Sequence, residues 1–306
     1  MTTQPKESRT ARLLRELNVP PDFRDPKLPR GFFSYSQYTS FKICGQAYAY
    51  NYVHGVLRPG YASTVRGNSV HKGLEFACRI FMKEGRWPTI EEAREAVSKE
   101  FEDRSKEVEN WGESKPGDIK DQTIKLYNVM HTKMLPKIKP LAVEKGFAVK
   151  FGGIPTVGWI DLIDEVPALS VPGLSPEEQQ LAPTMKVTCD LKTVEKKWSD
   201  NELAKNPQLT LYSFTEGTPL VRVDQLVMYK KAYGYIPGNA KRTKQDADIL
   251  AEDMNETVDL IHKGIFPKCQ IDNWACNVDH CSFWTMCRGK KNTTEAHNPT
   301  TGEVIP

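Results

Sequence analysis

The segment TMKVTCDLKTV at residues 184–194 carries two charged side chains that could form half of an active site, Asp190 and Lys192. Residues two apart on a β-strand point to the same face of a sheet, so this carboxylate and this ammonium would lie side by side. Cys189 would then point to the opposite face, towards the core. A surface ion pair is the simplest interpretation, because an acidic residue precedes a lysine by two positions at four other places in the chain. The pair gains a chemical interpretation only if a further acidic residue joins it.

Asp161, in the segment TVGWIDLIDEV, is the acidic residue that could join the pair. If its strand neighbours residues 184–194, Asp161 and Asp190 meet at one end of the sheet. Two carboxylates that close repel each other unless a divalent cation lies between them, and oxygen ligands favour the hard cations Mg²⁺ or Mn²⁺. The competing interpretation makes Asp161 part of a polar strand end with Asp164 and Glu165.

A helical segment at residues 66–85 places His71 and Glu75 four positions apart, on one face. A single histidine on a helix more often has a structural role than a ligand role. The small residues around it in GNSVHKGLE would nevertheless allow close approach to another backbone, and an imidazole can complete a metal site built mainly of carboxylates. His71 is therefore a candidate metal ligand, with Glu75 as a supporting residue.

Three of the seven cysteines lie within twelve residues near the end of the chain, Cys276, Cys281 and Cys287. An odd count in a chain without an export signal argues against a disulfide framework and for metal or cluster ligation. Zinc, with His280 or Cys269 as the fourth ligand, is one possibility. Against zinc, the spacing lacks the Cys-x2-Cys pairs of common zinc folds. Spacing alone leaves the identity of the bound group open.

The elements that must position these residues follow from hydrophobic spacing and from turn residues. Residues 1–30 are polar and rich in proline, and we expect a mobile arm with at most one short helix at 10–18. Beyond it the patterns predict helices at 34–53, 66–85, 89–110, 118–135, 199–216 and 243–263, and strands at 146–151, 154–166, 184–194 and 220–231. A Gly152-Gly153 turn makes the first two strands a hairpin. This order predicts an α/β fold with a mixed β-sheet flanked by helices and a helical N-terminal part.

The net charge is close to zero, +3 from 42 basic and 39 acidic residues. That balance gives no global electrostatic footprint of the kind that marks many nucleic-acid binders, so any polyanion site must be local. No apolar stretch approaches the roughly 20 residues of a membrane span, and the N-terminal residues lack the apolar core of a signal peptide. We expect a cytoplasmic protein without a membrane partner, in a bacterial cell or a phage-infected host.

Four short motifs occur in an order that resembles the RecB-like branch of the PD-(D/E)XK nucleases. They are GNSVH with Glu75, GWID ending at Asp161, DLK at 190–192 and QLTLY at 208–212. Each motif is weak alone, and the ordered set, spread over most of the chain, is specific. The resemblance implies a restriction-endonuclease-like PD-(D/E)XK core with Mg²⁺- or Mn²⁺-dependent nuclease activity. It also implies that Gln208 and Tyr212 contact DNA near the site.

In that family a histidine and two aspartates bind the catalytic metal, which here implies His71, Asp161 and Asp190. The resemblance adds the main-chain carbonyl of Leu191 as a further ligand. It gives Lys192 the task of orienting or activating the attacking water. Asp161, Asp190 and Lys192 are thus the expected catalytic residues.

The resemblance extends to the cysteines. RecB-like nucleases with iron–sulfur clusters, among them CRISPR-associated and AddB-type nucleases, take one cysteine from the N-terminal helix and three from the C-terminal end. This implies a 4Fe-4S cluster that closes the C-terminus as a staple, held by Cys44, Cys276, Cys281 and Cys287. The common spacing there is Cys-x2-Cys-x5-Cys, whereas this chain has Cys-x4-Cys-x5-Cys. The three remaining cysteines are then ordinary thiols, Cys78, Cys189 and Cys269.

The expected organisation is a flexible arm at 1–30, a RecB-like nuclease domain with the cluster at 31–290 and a polar tail at 291–306. The implied activity is that of a metal-dependent DNA exonuclease acting on ends or single strands, in phage or bacterial DNA recombination or repair. A single-strand annealing protein is a partner that such a role implies. The alternatives are a CRISPR-adaptation-type nuclease and a non-catalytic iron–sulfur protein of the same fold that binds DNA or assists assembly.

Overall fold

A five-stranded mixed β-sheet forms the centre of the fold. This computed structural model of the chain describes residues 8–56, 60–108, 111, 114–168, 183–230, 232–278 and 280–289. The predicted polar tail at 291–306 and the first seven residues of the predicted arm lie outside the described residues. The strands, adjacent in chain order, are β1 (Pro140–Phe151), β2 (Ile154–Pro167), β3 (Thr184–Val194), β4 (Leu220–Met228) and β5 (Tyr233–Lys241). β3 and β4 run parallel and the other neighbours run antiparallel, which confirms the predicted mixed sheet.

Helices precede this sheet in the chain and flank both of its faces, as predicted. In the described residues they are α1 (Arg9–Glu16), α2 (Tyr35–Ile43), α3 (Gly45–Tyr48), α4 (Ala62–Glu84), α5 (Ile90–Ser105), α6 (Pro116–Val129), α7 (Asp200–Ala204), α8 (Pro207–Glu216), α9 (Lys244–His262) and α10 (Trp284–Arg288). Shorter helical turns lie at Pro21–Phe23, Ala49–Val53, Met130–Met134 and Leu135–Lys137. Reciprocal capping by Thr89 and Glu92 begins α5, and Thr243 and Asp246 begin α9 in the same way. Within the described part of the chain, no helix combines the length and apolarity that a membrane span needs.

The sheet buries a different set of side chains on each face. α4, α5 and α6 cover one face, where Cys189 and Leu191 lie in a hydrophobic core. α2, α8 and α9 pack on the other face around Ile160. Alternation along β3 sends Asp190 and Lys192 to the face opposite Cys189. The core position predicted for Cys189 is confirmed, since only 1% of its surface is exposed.

The described part of the predicted N-terminal arm, residues 8–30, packs onto the sheet. α1 buries Leu13 and Leu14, and the helical turn after it buries Phe23. Leu13 lies against Gly146 of β1, where a β-carbon would clash with Leu13 Cδ1. A few apolar residues on one side of a polar segment are therefore enough to dock it.

Two of the predicted helices are interrupted. The helix predicted at 34–53 breaks at Cys44, whose extended backbone separates α2 from α3. The helix predicted at 199–216 is two helices, because Asn206 caps the second one and Pro207 occupies its first position. The break at Cys44 matters for the cysteine cluster, because the chain turns at the residue that carries one of its thiols.

Two strands differ from the predicted pattern. β5 carries Gly234, Pro237 and Gly238, residues that are uncommon in strands, and the sequence patterns do not predict it. Its position at the edge of the sheet tolerates the proline, because one side of an edge strand needs no ladder hydrogen bonds. β1 begins at Pro140, six residues before the predicted start, and this extension carries an acidic residue into the site described below.

Gly73 of α4 lies where two neighbouring helices meet it. A β-carbon there would be 2.5 Å from Tyr127 Cδ2 and 2.7 Å from Val97 Cγ2. We expect Gly73→Ala to lower the free energy of unfolding by about 1–3 kcal/mol, because overpacking outweighs the gain in helix propensity. Gly67→Ala in the same helix is the control, since its β-carbon would meet nothing closer than 3.7 Å. Urea denaturation should show opposite signs for the two variants, and equal losses would contradict the packing argument.

Candidate active site

β2 and β3 separate where their pairing ends, and the candidate site lies in the gap between them. The antiparallel register ends with Leu162 opposite Cys189. Beyond this point the Leu191 N–H donates to Asp161 Oδ2 at 2.9 Å. The N–H and C=O of one strand residue point to the same side, so the Leu191 carbonyl also faces the gap.

Asp190 and Lys192 project from β3 on one face and form an ion pair. Lys192 Nζ lies 2.7 Å from Asp190 Oδ2 and 3.1 Å from Gln208 Oε1. Asp190 has no exposed surface. Burial raises the pKa of Asp190, Lys192 offsets part of that rise and Asp161 adds to it, which brings the value to about 6.

His71 reaches the same gap from α4. Its Nδ1 lies 3.4 Å from Asp161 Oδ1. Burial opposes a charge on this imidazole, but Asp161 and Asp190 raise the pKa of His71 to about 9. Burial alone would raise the pKa of Asp161, yet His71, Lys192 and the Leu191 N–H lower it below its usual value. The two aspartates therefore have opposite shifts although they are neighbours.

Glu144 of β1 is a further site residue that the sequence patterns do not single out. One ligand atom each from Glu144, His71 and Asp161 lies within 4.8 Å of the other two. Glu144 has a φ of 49°, a conformation that is uncommon outside glycine and concentrates at functional sites. The hairpin register could have found it, because Phe151 pairs with Ile154 and the same register, carried outwards, sets Glu144 opposite Asp161.

The donor atoms in this gap suit a hard divalent cation. Glu144 and Asp161 offer carboxylate oxygens and His71 offers an imidazole nitrogen within reach of one ion. Asp190 adds a second buried carboxylate, and Asp161 lies close enough to it to raise the pKa of Asp190. Burying two neighbouring acids is unfavourable without compensating positive charge, which Lys192 and a protonated His71 supply when no cation is bound.

A cleft of about 900 Å³ opens beside these residues, with His71 and Asp161 in its wall. Six basic side chains line the cleft, Arg9, Arg12, Arg30, Lys72, Arg79 and Arg104. Five acidic side chains share this lining, Glu16, Glu75, Glu100, Glu144 and Asp161, so the cleft offers arginine and lysine donors without a large local excess of charge. Glu75, predicted as a supporting residue, also lines the cleft and forms ion pairs of 2.9 Å with Lys72 and with Arg79.

Gln208 and Tyr212, for which DNA contacts are predicted, form a hydrogen-bond chain next to the site. Gln208 Oε1 accepts from Lys192, and its Nε2 donates to Tyr212 Oη at 2.7 Å. The Tyr212 hydroxyl in turn donates to the Trp159 carbonyl at 2.7 Å. Tyr212 is 3% exposed. The chain holds Lys192 in place, and the DNA contacts stay a prediction.

If the site hydrolyses DNA, as the resemblance implies, we expect Gln208→Leu to lower the maximal rate about 10- to 100-fold, because Lys192 loses one of its two partners. If Gln208 acts by positioning, DNA affinity measured by fluorescence anisotropy should change by less than about twofold. A weaker affinity with an unchanged maximal rate would instead identify Gln208 as a DNA contact.

Five cysteines line one cavity of about 160 Å³, Cys44, Cys269, Cys276, Cys281 and Cys287. The break after α2 brings Cys44 to this cavity, where its Sγ accepts from the Cys269 N–H at 3.4 Å. Four of these thiols are the predicted cluster ligands, and Cys269 is the additional one. Thiolates around one zinc ion stand about 3.8 Å apart, given zinc–sulfur bonds of about 2.3 Å. In the described part of the chain, no three thiols lie within 4.8 Å of one another.

The segment after α9 has little hydrophobic core of its own. Among its described residues, from 265 to 289, only Phe283 is buried, and α10 has five residues. Its contacts with the rest of the chain include Gln46 N–H donating to the Pro267 carbonyl at 3.1 Å and Tyr61 Oη donating to the His280 carbonyl at 3.2 Å. A segment this poor in buried side chains is typical of one held by a bound metal group.

A family model for the PD-(D/E)XK nuclease superfamily matches residues 32–288. The chain belongs to this superfamily. PD-(D/E)XK nucleases use divalent metals, in agreement with the donor set of the gap. No curated protein matches the sequence.

Two solved structures resemble this PD-(D/E)XK nuclease weakly. One is a candidate exonuclease from Eubacterium rectale, with 10% sequence identity, a TM-score of 0.45 and coverage of 89% of this chain and 93% of that one. The other is the protein SSO0001, with 12% identity, a TM-score of 0.31 and coverage of 78% of this chain and 92% of that one.

Proposed function

We propose that this PD-(D/E)XK nuclease is a metal-dependent DNA exonuclease whose catalytic residues are Asp161, Asp190 and Lys192. One observation carries the proposal: His71, Glu144 and Asp161 offer ligand atoms within 4.8 Å of one another, next to the Asp190–Lys192 ion pair. Mg²⁺ or Mn²⁺ is the proposed cofactor, because the donors are mainly carboxylate oxygens. The arginine side chains of the cleft match the geometry of phosphate oxygens, which supports a nucleic-acid substrate.

The groups of the site divide the work of phosphodiester hydrolysis. The proposed cation ligands are His71, Glu144, Asp161, Asp190 and the Leu191 carbonyl. When bound there, a divalent cation supplies Lewis-acid stabilisation of charge on the phosphate oxygens and lowers the pKa of a water. Burial lowers the pKa of Lys192, but Asp190 and Asp161 raise it above its usual value, so the side chain stays an ammonium. That ammonium is placed to orient the attacking water and to offset charge that develops on the phosphorane.

The proposal is tested with purified protein and linear, end-labelled single-stranded DNA. Mg²⁺ or Mn²⁺ should allow stepwise shortening from an end, EDTA should stop it, and closed circular single strands should stay intact. Lys192→Gln should lose this activity. Lys197→Gln is the matched control, because Lys197 also follows an acidic residue by two positions but is exposed. A parent protein that binds DNA and degrades none with either metal would favour the non-catalytic alternative.

We further propose a role in phage or bacterial DNA recombination or repair, with a single-strand annealing protein as partner. The ordered motifs shared with RecB-like nucleases support this role. Parallel digests of 5′- and 3′-labelled duplexes test it, since an annealing protein needs one long single strand. Products degraded equally from both strands would argue against this partner.

We also propose that the cysteine cavity holds a 4Fe-4S cluster on Cys44, Cys276, Cys281 and Cys287. Its support is the convergence of thiols from both ends of the domain on one cavity. Four thiolates leave no iron open for a substrate, so the group would act as a staple. Zinc remains the alternative that metal analysis distinguishes.

A further inference from the structure

Arg9 extends from α1 to the edge of the candidate metal site. Its Nη2 lies 2.5 Å from Glu144 Oε2, and its guanidinium carbon lies 4.2 Å from the centre of the Trp159 ring. Glu144 in turn offers a ligand atom within 4.8 Å of those of His71 and Asp161. Arg9 of the N-terminal helix therefore directly contacts Glu144, which is one of the proposed cation ligands.

The fold holds Arg9 in this position through several contacts. Ser8 caps α1, and Leu13 docks the helix against Gly146 of β1. Trp159 is two residues before Asp161 on β2, so the ring under the guanidinium is on the same face as the metal site. The Arg9 side chain is 55% exposed, whereas that of Glu144 is 15% exposed. The guanidinium thus lies at the boundary between the interior of the site and the open cleft.

We propose that Arg9 binds a phosphate of the DNA strand and that Glu144 restrains it until this carboxylate engages a divalent cation. The inference rests on the proposed nuclease function. A carboxylate that coordinates a dication shares its negative charge and attracts a neighbouring guanidinium less strongly. The released guanidinium keeps Trp159 as a platform, and its planar fork matches phosphate oxygens. DNA and the cation then bind cooperatively through Glu144.

An ordinary surface ion pair is the competing explanation, and such exposed pairs contribute little to stability. The two explanations differ in what they predict about the cation. A surface pair would leave the effect of Arg9 on DNA affinity independent of the metal. If Glu144 restrains Arg9, the effect of Arg9 on DNA affinity depends on whether a cation occupies the Glu144 carboxylate.

A double-mutant cycle on the full-length protein tests the restraint. The readout is fluorescence anisotropy of a labelled single-stranded oligonucleotide, in EDTA and in Ca²⁺, with the oligonucleotide checked for cleavage. Arg9→Gln should weaken binding about 10-fold in Ca²⁺ and less than about twofold in EDTA. Glu144→Gln should tighten binding in EDTA by about three- to tenfold, and that gain should vanish in the double variant.

Arg12→Gln is the matched control, because it removes the same charge from the next turn of α1, where Arg12 pairs only loosely with Glu16 at 3.8 Å. Its effect should be the same with and without Ca²⁺. Arg9→Lys should recover part of the affinity, because the charge remains while the planar fork is lost. Melting temperatures confirm that each variant is folded.

Three results would overturn the inference. Equal losses for Arg9→Gln in EDTA and Ca²⁺ would show that Glu144 does not restrain Arg9. An unchanged affinity in both would show that Arg9 does not bind phosphate. A gain from Glu144→Gln that persists in the Arg9→Gln background would show that the gain comes from losing a negative charge near the DNA and not from freeing Arg9. Hydrolysis of linear DNA by the parent with Mg²⁺ is scored separately, so failure of the nuclease proposal is distinguishable from failure of this one.

Discussion

Replacing Asp190 with asparagine is expected to abolish DNA hydrolysis and, in EDTA at pH 8, to make the folded protein more stable. The rate should fall about 10³-fold, at the upper end of what removing one transition-state charge contact costs. The carboxylate is lost as a proposed cation ligand, and Lys192 loses the partner 2.7 Å away that holds its ammonium. A gain in stability together with a loss of activity excludes misfolding as the cause.

The sign of the stability change follows from the pKa of Asp190. Its folded value of about 6 lies above the value near 4 of the unfolded chain, so the folded state binds this proton more tightly. The stability that comes from this protonation is present below about pH 4 and is lost as the pH rises through 6. At pH 8 the buried charge costs up to about 3 kcal/mol, a figure that already includes the offset from Lys192. The net gain is about 1–2 kcal/mol, because the buried amide of asparagine is left with few hydrogen-bond partners.

Asp161→Asn is the matched control, because it should abolish activity with the opposite effect on stability. The pKa of Asp161 is lowered, so its charged form stabilises the fold above the unfolded pKa and that contribution is lost as the pH falls. Asparagine removes it and weakens the acceptor of the Leu191 N–H, at a cost of about 1–3 kcal/mol. Thermal unfolding in EDTA at pH 8 and pH 5 measures both variants. Two destabilised variants would contradict the opposite roles assigned to these neighbouring acids.

Several site residues could be placed together from the sequence, because strand alternation and hairpin pairing depend on residues that are close in the chain. β3 has the bounds that its sequence predicts, 184–194, and Asp190 and Lys192 share a face because the period of a strand is two. The same kind of reasoning could have reached Glu144, since the Gly152-Gly153 turn fixes the register of the hairpin. Glu144 was missed because β1 begins with Pro140 and lacks a clear alternation of apolar and polar residues before Gly146.

Contacts between distant segments could not be predicted in this way. Arg9 lies 135 positions from Glu144, and nothing in the arginine's own neighbourhood indicates an acidic partner. Cys44 follows a well-capped helical pattern, and the chain breaks there beside a close packing contact, since Pro267 would lie 2.8 Å from a β-carbon on Gly45. Both features come from tertiary packing that overrides local propensity.

Replacing Cys281 with serine is expected to remove the bound group from the cysteine cavity and to release the C-terminal segment. Anaerobically purified parent should be brown and contain about four irons and four sulfides per chain, whereas Cys281→Ser should be colourless. Limited proteolysis should then cut between 265 and 289, where only Phe283 is buried among the described residues. Cys78→Ser is the control, because Cys78 lies in the core between the helices and the sheet and should keep its iron.

The fourth ligand is the sharpest part of this prediction, since two cysteines compete for it. Cys269 donates its N–H to the Cys44 sulfur, and Cys276 accepts from Arg288 Nη2 at 3.6 Å, so both border the cavity. We expect Cys276→Ser to lose the iron and Cys269→Ser to retain it. The reverse result would exchange the two residues in the ligand set and keep the cluster, whereas one zinc per chain in the parent would contradict the cluster itself.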